Sequence, residues 1–426
     1  MCLNLLPQLK LKRKCLSKRM QKCLLAVRHY STNTLGGFRV LDLTRVLAGP
    51  YCTMILGDLG AEIIKIEKPV VGDDTRSWGP PFIGKQSCYF LSINRNKQSV
   101  CVDITKQEGS EIIKHLASES DVFIENYMPG KLEKYGLGYN DLRQINPKIV
   151  YCSISGYGCS GPYASRPGYD VIASSIGGML HITGPSDGSP CKPGVAMTDL
   201  TTGLYAHGSI MAALLQRSVT GVGQKIEVNL LSTQVACLVN LGSNYLLANQ
   251  EASRWGTAHE SIVPYQAFSS SDGYLTIGAG NDRQFKQLCT RISRPDLAED
   301  PQYATNALRV KNRCQLLTQI AETISTKSNE EWLSIFSDAP FPYGPINNLS
   351  QVFDDPQVKH NGMVQSVEHP SAGMIRLVGP AVKFGAMDNK IRSPPPELGQ
   401  HTESVLRMFG YSADRIERLK NDGIVQ

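Results

Sequence analysis

The chain has 426 residues, enough to bury a full core and to fold as two domains. Its 41% hydrophobic and 19% charged content is that of an ordinary globular protein, and no apolar run approaches the roughly 20 residues that span a bilayer. The net charge of +6 hints at an anionic partner, but Lys10, Lys12, Arg13, Lys14, Lys18, Arg19, Lys22 and Arg28 all precede the first acidic residue, Asp42. Without those eight, the 44 basic residues fall below the 38 acidic ones, so neither nucleic acid nor membrane insertion is expected.

Residues 1–31, basic, Leu-rich and free of acid, read as a mitochondrial transit peptide cleaved near Tyr30–Ser31, which implies the matrix. The competing reading is a basic tail that binds RNA or membrane. Of the twelve cysteines, three fall in this segment, and the rest are scattered singly, mostly in apolar runs. No C-x-x-C pair or H-E-x-x-H is present, so buried free thiols are expected, with no metal.

Next come "FRVLDL", a strand, "GPYCTMILGDLG", a helix closed by glycine, and "AEIIKIEKP", a second strand. "SVCVDI" follows as a strand and "QEGSEIIKHLASES" as an amphipathic helix, with "DVFIENY" and "KIVYCSISGYG" as further buried strands. This alternation predicts an α/β fold with a large Rossmann-like parallel sheet over residues 36–230, and ligands outside the carboxyl ends of its strands. "GVGQKIEVNLLSTQVACLVNLGSNYLLANQ" reads as another strand and a long helix. The glycine-rich texture after it predicts a smaller α+β domain over residues 245–345, built on the strand "YLTIGAG". Residues 346–426 are expected to return to the first domain.

The turn after the first strand, "LTRVLAGP", lacks G-x-G-x-x-G, and no P-loop is present, which disfavours nicotinamide oxidoreductases and P-loop NTPases. Dispersed cations stand there instead: Arg45, Lys68, Arg76, Arg95, Lys97, Lys131 and Lys134. They suit a ligand with separate phosphates and an apolar arm, although most such charges are ordinary solvated surface. A lone carboxylate, Asp199, stands in "GVAMTDLTTGLYAHGSIMAALLQ" at the mouth of an apolar helix. It is either a helix cap or an ionised nucleophile favoured by the helix dipole.

"VLDLTRVLAGPYCTMILGDLGAEIIKIEKPVVGDDTR", "NRNK", "ENYMPGKLEKYGLGY", "SISGYGCSGPYASRPGYD", "GVAMTDLTTGLYA" and "GPINN" together resemble the class III CoA-transferases, in unbroken order from about Gly36. The resemblance implies that Asp199 is the nucleophile. It also implies that Val46, Leu47, Lys68, Asn126, Tyr127, Lys131, Lys134 and Tyr135 contact coenzyme A, a thioester substrate with no permanently bound cofactor. Formyl-CoA transferases carry arginine at the places of Lys68 and Lys134, so a lysine there gives point-charge contact with phosphate. "RWGTAH", "SIVPYQAF" and "YGPINN" narrow the expected reaction to moving CoA from succinyl-CoA to a dicarboxylic acid such as glutarate or 3-hydroxy-3-methylglutarate.

The same resemblance puts a flap at "RWGTAHESIVPY", with Gly256 alone where relatives have a glycine run. His259 either contacts an intermediate or caps a turn. Acyl-CoA racemases of the superfamily are the alternative, disfavoured because Tyr169 replaces their histidine. A CoA-binding protein without catalysis is a third reading. Tyr169 and Asp170 are expected in the acyl pocket, unless Asp170 merely caps a helix. Arg95 is expected to pair with the distal carboxylate of the acceptor. An interlocked-ring homodimer is the assembly that the resemblance implies.

Overall fold

The structure is a computed structural model that describes residues 33–426; the segment read as a transit peptide lies outside the described residues. Six strands, β1 (Arg39–Asp42), β2 (Glu62–Glu67), β3 (Lys97–Cys101), β4 (Val122–Glu125), β5 (Val150–Ser155) and β6 (Lys225–Asn229), form one sheet in the order β3-β2-β1-β4-β5-β6. Every pairing in it is parallel. Parallel strands are covered on both faces, which is why they read as near-continuous apolar runs.

The helices that matter around this sheet are α1 (Ala48–Asp58), α2 (Cys88–Ile93), α3 (Gln107–Ser118), α4 (Asp170–Ile176) and α5 (Met197–Thr220). After β6 come α6 (Leu230–Ala236) and α7 (Val239–Ala248). The single long helix expected here is broken around Cys237–Leu238, where Val239 takes a φ of 47°.

A second, antiparallel sheet has the order β9-β8-β7, from β7 (Tyr265–Ser269), β8 (Tyr274–Gly278) and β9 (Tyr343–Pro345). With α8 (Asp282–Arg291), α9 (Arg313–Ile324) and α10 (Asn329–Ile335) it encloses its own core, including Phe268, Ile277, Phe285, Ile320, Trp332 and Phe336. A hairpin of β10 (Val364–His369) and β11 (Gly373–Val378) precedes the last helices, α11 (Thr402–Met408) and α12 (Ala413–Asn421).

Side chains alternate across a strand, and the large sheet uses both faces. Leu41, Ile64 and Phe123 point to one core, shared with Ile112 and Ile113 of α3 and with Leu406 and Leu419 of the last helices. Val40, Ile63 and Val150 point to the other, shared with Leu56 of α1 and Ala206 and Ile210 of α5. The α/β class with a smaller α+β part, expected from the sequence, is the architecture observed. The nine described cysteines are free; Cys52, Cys101, Cys152 and Cys289 are buried, but Cys191 and Cys314 are exposed, against the expectation of buried thiols throughout. No described helix is long and apolar enough to cross a membrane.

In the order 3-2-1-4-5-6 the chain reverses direction between β1 and β4, and a crevice opens outside their carboxyl ends. The loops that follow those two strands, residues 43–47 and 126–130, therefore face one another.

Candidate active site

Asp42, the last residue of β1, is fully buried and organises the loop after it. Its Oδ1 accepts from the Thr44 N–H at 2.9 Å and from Thr44 Oγ1 at 2.5 Å; its Oδ2 accepts from Thr53 Oγ1 at 2.6 Å. Lys97 Nζ lies 3.3 Å from the same Oδ2. Burial opposes the Asp42 charge, yet Lys97 and Lys65 together hold its carboxyl below the usual range. From β4, Asn126 stitches the facing loop to this one. Its Oδ1 accepts from the Arg45 N–H at 3.0 Å, and its Nδ2 donates to the Arg45 carbonyl at 2.8 Å. The next residue, Val46, has a φ of 68°, an uncommon state for a β-branched side chain that costs on the order of 1–3 kcal/mol.

Two cavities meet along this loop. One, of about 470 Å³, is lined by Arg45, Lys68, Asp74, Tyr127, Lys131 and Tyr135, among others. The other, of about 440 Å³, shares Arg45, Asp74 and Tyr127 and adds the apolar Leu47, Trp78 and Leu230. Around the shared Tyr127 ring, the Arg45 guanidinium and the Lys131 ammonium each lie 5.4 Å from the centroid. Arg45 also pairs with Asp74 at 2.9 Å. The first cavity is also lined by Lys65, Glu67, Asp73 and Asp103. With Lys65 paired to Asp73 and Arg45 to Asp74, its cationic character rests on Lys68 and Lys131. The residues lining the second cavity are the more apolar, a contrast that suits a ligand with phosphates and a long neutral arm.

Asp199 lines the apolar cavity. It is not the cap of α5: the helix begins two residues earlier, and the N-cap is Ala196, with no side-chain cap bond. The Asp199 N–H instead donates to Asp170 Oδ1 at 3.0 Å, so a carboxylate of α4 satisfies one of the free donors at this helix start. The helix N-terminus favours a negative charge at Asp199. Burial and then the neighbouring Asp170 oppose it more strongly and push the carboxyl up to about 7.

Of the residues expected from the sequence, Val46, Leu47, Asn126, Tyr127, Tyr169 and Asp199 line the apolar cavity. Lys68, Tyr127, Lys131 and Tyr135 line the cationic one. Asp170 joins them through its bond to Asp199, as a cap of α5 and not of its own helix. Lys134 is exposed in a short turn and lines neither cavity.

Arg95 is not brought to the site. It is 4% exposed, its Nε and Nη2 hold Asp58 at 3.0 and 2.7 Å, and its Nη1 donates to the Val378 carbonyl at 2.8 Å. Buried, paired through its Nε/Nη2 face to Asp58 and lining neither cavity, it is not presented to the acceptor carboxylate expected there. Gly256, with a φ of 57°, donates its N–H to the Gly184 carbonyl at 2.9 Å. His259 closes a turn: its Nδ1 accepts from the Ser261 N–H at 3.1 Å, and its ring stacks on Tyr265 with centroids 5.6 Å apart. Neither lines the two cavities.

Sequence reasoning passed over Trp78 and Tyr89. Trp78 lines the Asp199 cavity and meets Tyr89 edge-on at 5.2 Å. Burial and then the charges of Asp199 and Asp170 raise the Tyr89 phenol, so its oxygen stands within their field. Both lie in "TRSWGPPFIGKQSCYF", which has no helical or strand period; two aromatic residues between strands were the only signal.

Residues 35–402 match the model of CoA-transferase family III. The chain is 54% identical to the succinyl-CoA:glutarate CoA-transferase of Mus musculus over 93% of its own length and 91% of that protein's. It is 53% identical to the protein of the same name from Homo sapiens, over 92% and 90%. Among solved structures, a CaiB/BaiF family protein from Brucella suis superposes with a TM-score of 0.81 at 40% identity, covering 89% of this chain and all of that one. The chain therefore belongs to CoA-transferase family III, and it is an enzyme of the CoA-transferase class.

Proposed function

We propose that the enzyme moves CoA from succinyl-CoA to a dicarboxylic acid, glutarate first and 3-hydroxy-3-methylglutarate second, through a thioester formed on Asp199. The observation that carries this reading is the position of Asp199: a half-buried carboxylate on the wall of a cavity lined by Leu47, Trp78 and Leu230, which meets, at Arg45, Asp74 and Tyr127, the cavity that carries Lys68 and Lys131. The names of the mouse and human relatives support the choice of donor and acceptor.

A free carboxylate attacks a thioester poorly, and a covalent carboxylate divides the transfer into easier steps. An ionised Asp199 oxygen adds to the succinyl thioester carbonyl, the C–S bond breaks, and the electron pair leaves as CoA thiolate. The thiolate then attacks the Asp199 carbonyl of the mixed anhydride, which expels succinate and leaves aspartyl-CoA. Glutarate attacks that thioester and the steps run in reverse, giving glutaryl-CoA and free Asp199. Proton bookkeeping is neutral, because every nucleophile and leaving group is an anion. Lys68 and Lys131 would meet the CoA phosphates as point charges, while Leu47, Trp78 and Tyr127 exclude water around the arm.

Residues 1–31 would direct the chain to the mitochondrial matrix. A second copy of the chain would cover the apolar side chains of α5 and α7, where Leu215, Val219, Leu246 and Leu247 are 71–87% exposed. Light scattering reads that assembly as twice the chain mass.

The deciding experiment is trapping. Incubation with succinyl-CoA and then hydroxylamine, followed by peptide mass mapping, is expected to put the modification on Asp199. Asp199→Ala is expected to lose the label and the exchange but to keep CoA binding. Exchange at the native rate in that variant refutes the scheme.

A further inference from the structure

We infer that the buried Lys65–Asp73 pair is a positioning device for the CoA substrate, acting through the backbone of residues 44–46. Side chains from outside the loop hold almost every backbone polar group in this stretch. Asp42 takes the Thr44 N–H, and Asn126 takes both the N–H and the carbonyl of Arg45. Of the three that remain, two fall to one ion pair: Lys65 Nζ donates to the Thr44 carbonyl at 2.9 Å, and Asp73 Oδ1 accepts from the Val46 N–H at 3.2 Å. Lys65 and Asp73 meet at 2.8 Å with both side chains fully buried.

Asp73 is itself fixed in place. Its Oδ1 also accepts from Thr75 N–H and Oγ1, at 3.0 and 2.8 Å, and its own N–H donates to Glu67 Oε2 at 2.9 Å. Glu67 in turn is held by Arg76 through two bonds of 2.7 Å.

Two features point beyond a structural role. The bond to Asp73 falls on the one loop residue in a backbone state its side chain disfavours, Val46 at φ 68°. The loop is also the seam of the site: Thr44 and Arg45 wall the cationic cavity, and Arg45, Val46 and Leu47 wall the one that holds Asp199. A CoA thioester with its phosphates in the first cavity and its acyl carbon at Asp199 has to run along this loop. The clamp rests in that respect on the function proposed above. Relaxation of Val46 to an ordinary φ would reshape both walls at once.

Glycine takes positive φ at no steric cost, so a chain with Val46→Gly has no need of the clamp. The measurement is a double-mutant cycle on the full chain, read as the Kd for CoA and as KM and kcat for succinyl-CoA. Asp73→Asn is expected to raise Kd and KM about tenfold in the Val46 background, with kcat changed less than about threefold. In the Val46→Gly background the same substitution is expected to change Kd less than about threefold. A purely structural Asp73 would lower the melting temperature equally in both backgrounds and leave the two Kd ratios equal, which overturns the proposal. So does an unchanged Kd in Asp73→Asn.

If Asp73→Asn does not fold, the cycle is run with Lys65→Met and Asp73→Leu together, which removes the clamp without leaving a lone buried charge, and the same ratios decide. CoA binding needs no acylation, so the two readings separate. A labelled Asp199 with equal Kd ratios sinks only the clamp. An unlabelled Asp199 with unequal ratios sinks only the covalent scheme.

Discussion

Residues 43–47 and residues 252–262 are held in opposite ways. The first loop is tied by three buried charges: Asp42 takes the Thr44 N–H, Lys65 the Thr44 carbonyl and Asp73 the Val46 N–H. The second is tied largely at the surface: Gly256 to the Gly184 carbonyl, Arg254 to the His181 carbonyl at 3.1 Å, His181 to the Ala252 carbonyl at 3.1 Å and Asn306 to the Ser261 carbonyl at 2.8 Å, with the Arg313 guanidinium donating to the His259 and Glu260 carbonyls at 3.2 and 2.7 Å. Exposed bonds with little apolar burial open at low cost, whereas buried networks open only with the fold. If the first loop cradles CoA and the second closes over the acyl end, as proposed, the contrast is a division of labour between a preorganised wall and a segment that can move. Hydrogen exchange sharpens the contrast: Thr44, Arg45 and Val46 amides are expected to be protected, and Gly256 and His259 amides to exchange early.

The largest effect is expected at Asp199, the proposed nucleophile. Asp199→Asn keeps shape but not charge and is expected to lower exchange on the order of 10³-fold or more, with CoA affinity nearly unchanged. Ile210→Ala, under the α5 face and fully buried, is expected to cost about 2–5 kcal/mol in denaturant unfolding. Gly256→Ala forces a side chain into a φ of 57° and is expected to cost about 1–2 kcal/mol. If the second exceeds the first, the segment is part of the core and the contrast is lost.

Protonation tests the cradle's other wall. With Asp199 pushed up to about 7, attack requires loss of its proton, so acylation is expected to rise with pH through about 7 and then level off. Asp170→Asn removes the neighbouring charge and keeps an acceptor for the Asp199 N–H, which moves that rise to lower pH. The same shift acts on stability. The folded chain binds the Asp199 proton more tightly than the unfolded chain, whose value is 3.8, so the penalty is absent below about pH 4 and complete above about pH 7. Asp199→Asn is therefore expected to raise the melting temperature at pH 8 more than at pH 4. An equal effect at both would mean that Asp199 is ionised at its ordinary value.

The strands and their parallel packing, though not their order in the sheet, were open to reading because residues such as Ile63, Ile64 and Phe123 are covered on one face or the other and leave unbroken apolar runs. The loops at the carboxyl ends followed from that packing. Less could be read of the site, because its geometry is set over long separations. Arg95 faces Asp58, 37 positions away, and no local pattern announces that partner. Val46, at a positive φ that its own side chain disfavours, donates its N–H to Asp73, 27 positions away. Trp78 and Tyr89 reach the Asp199 region from a stretch without period. Asp199 reads as a candidate N-cap because Asp is so strong a cap, yet it is the third residue of α5 and its own N–H donates to Asp170, 29 positions away.

The smallest expected effect is also the most direct probe of the surface segment. His259 stacks on Tyr265 and accepts from Ser261, and it lines neither cavity. His259→Ala removes about 0.5–1.5 kcal/mol of ring contact from an element already loosely held. CoA affinity is expected to stay the same, since the cradle is elsewhere. If the segment closes over the acyl end during turnover, it is what keeps water from aspartyl-CoA, and loosening it favours hydrolysis over transfer. The ratio of succinyl-CoA hydrolysed to succinyl-CoA exchanged is then expected to rise about twofold to threefold, with the exchange rate itself nearly constant. A ratio unchanged by His259→Ala, while an additional Gly256→Ala also leaves it flat, would assign water exclusion to the walls of the cavity alone and remove the moving half of the comparison.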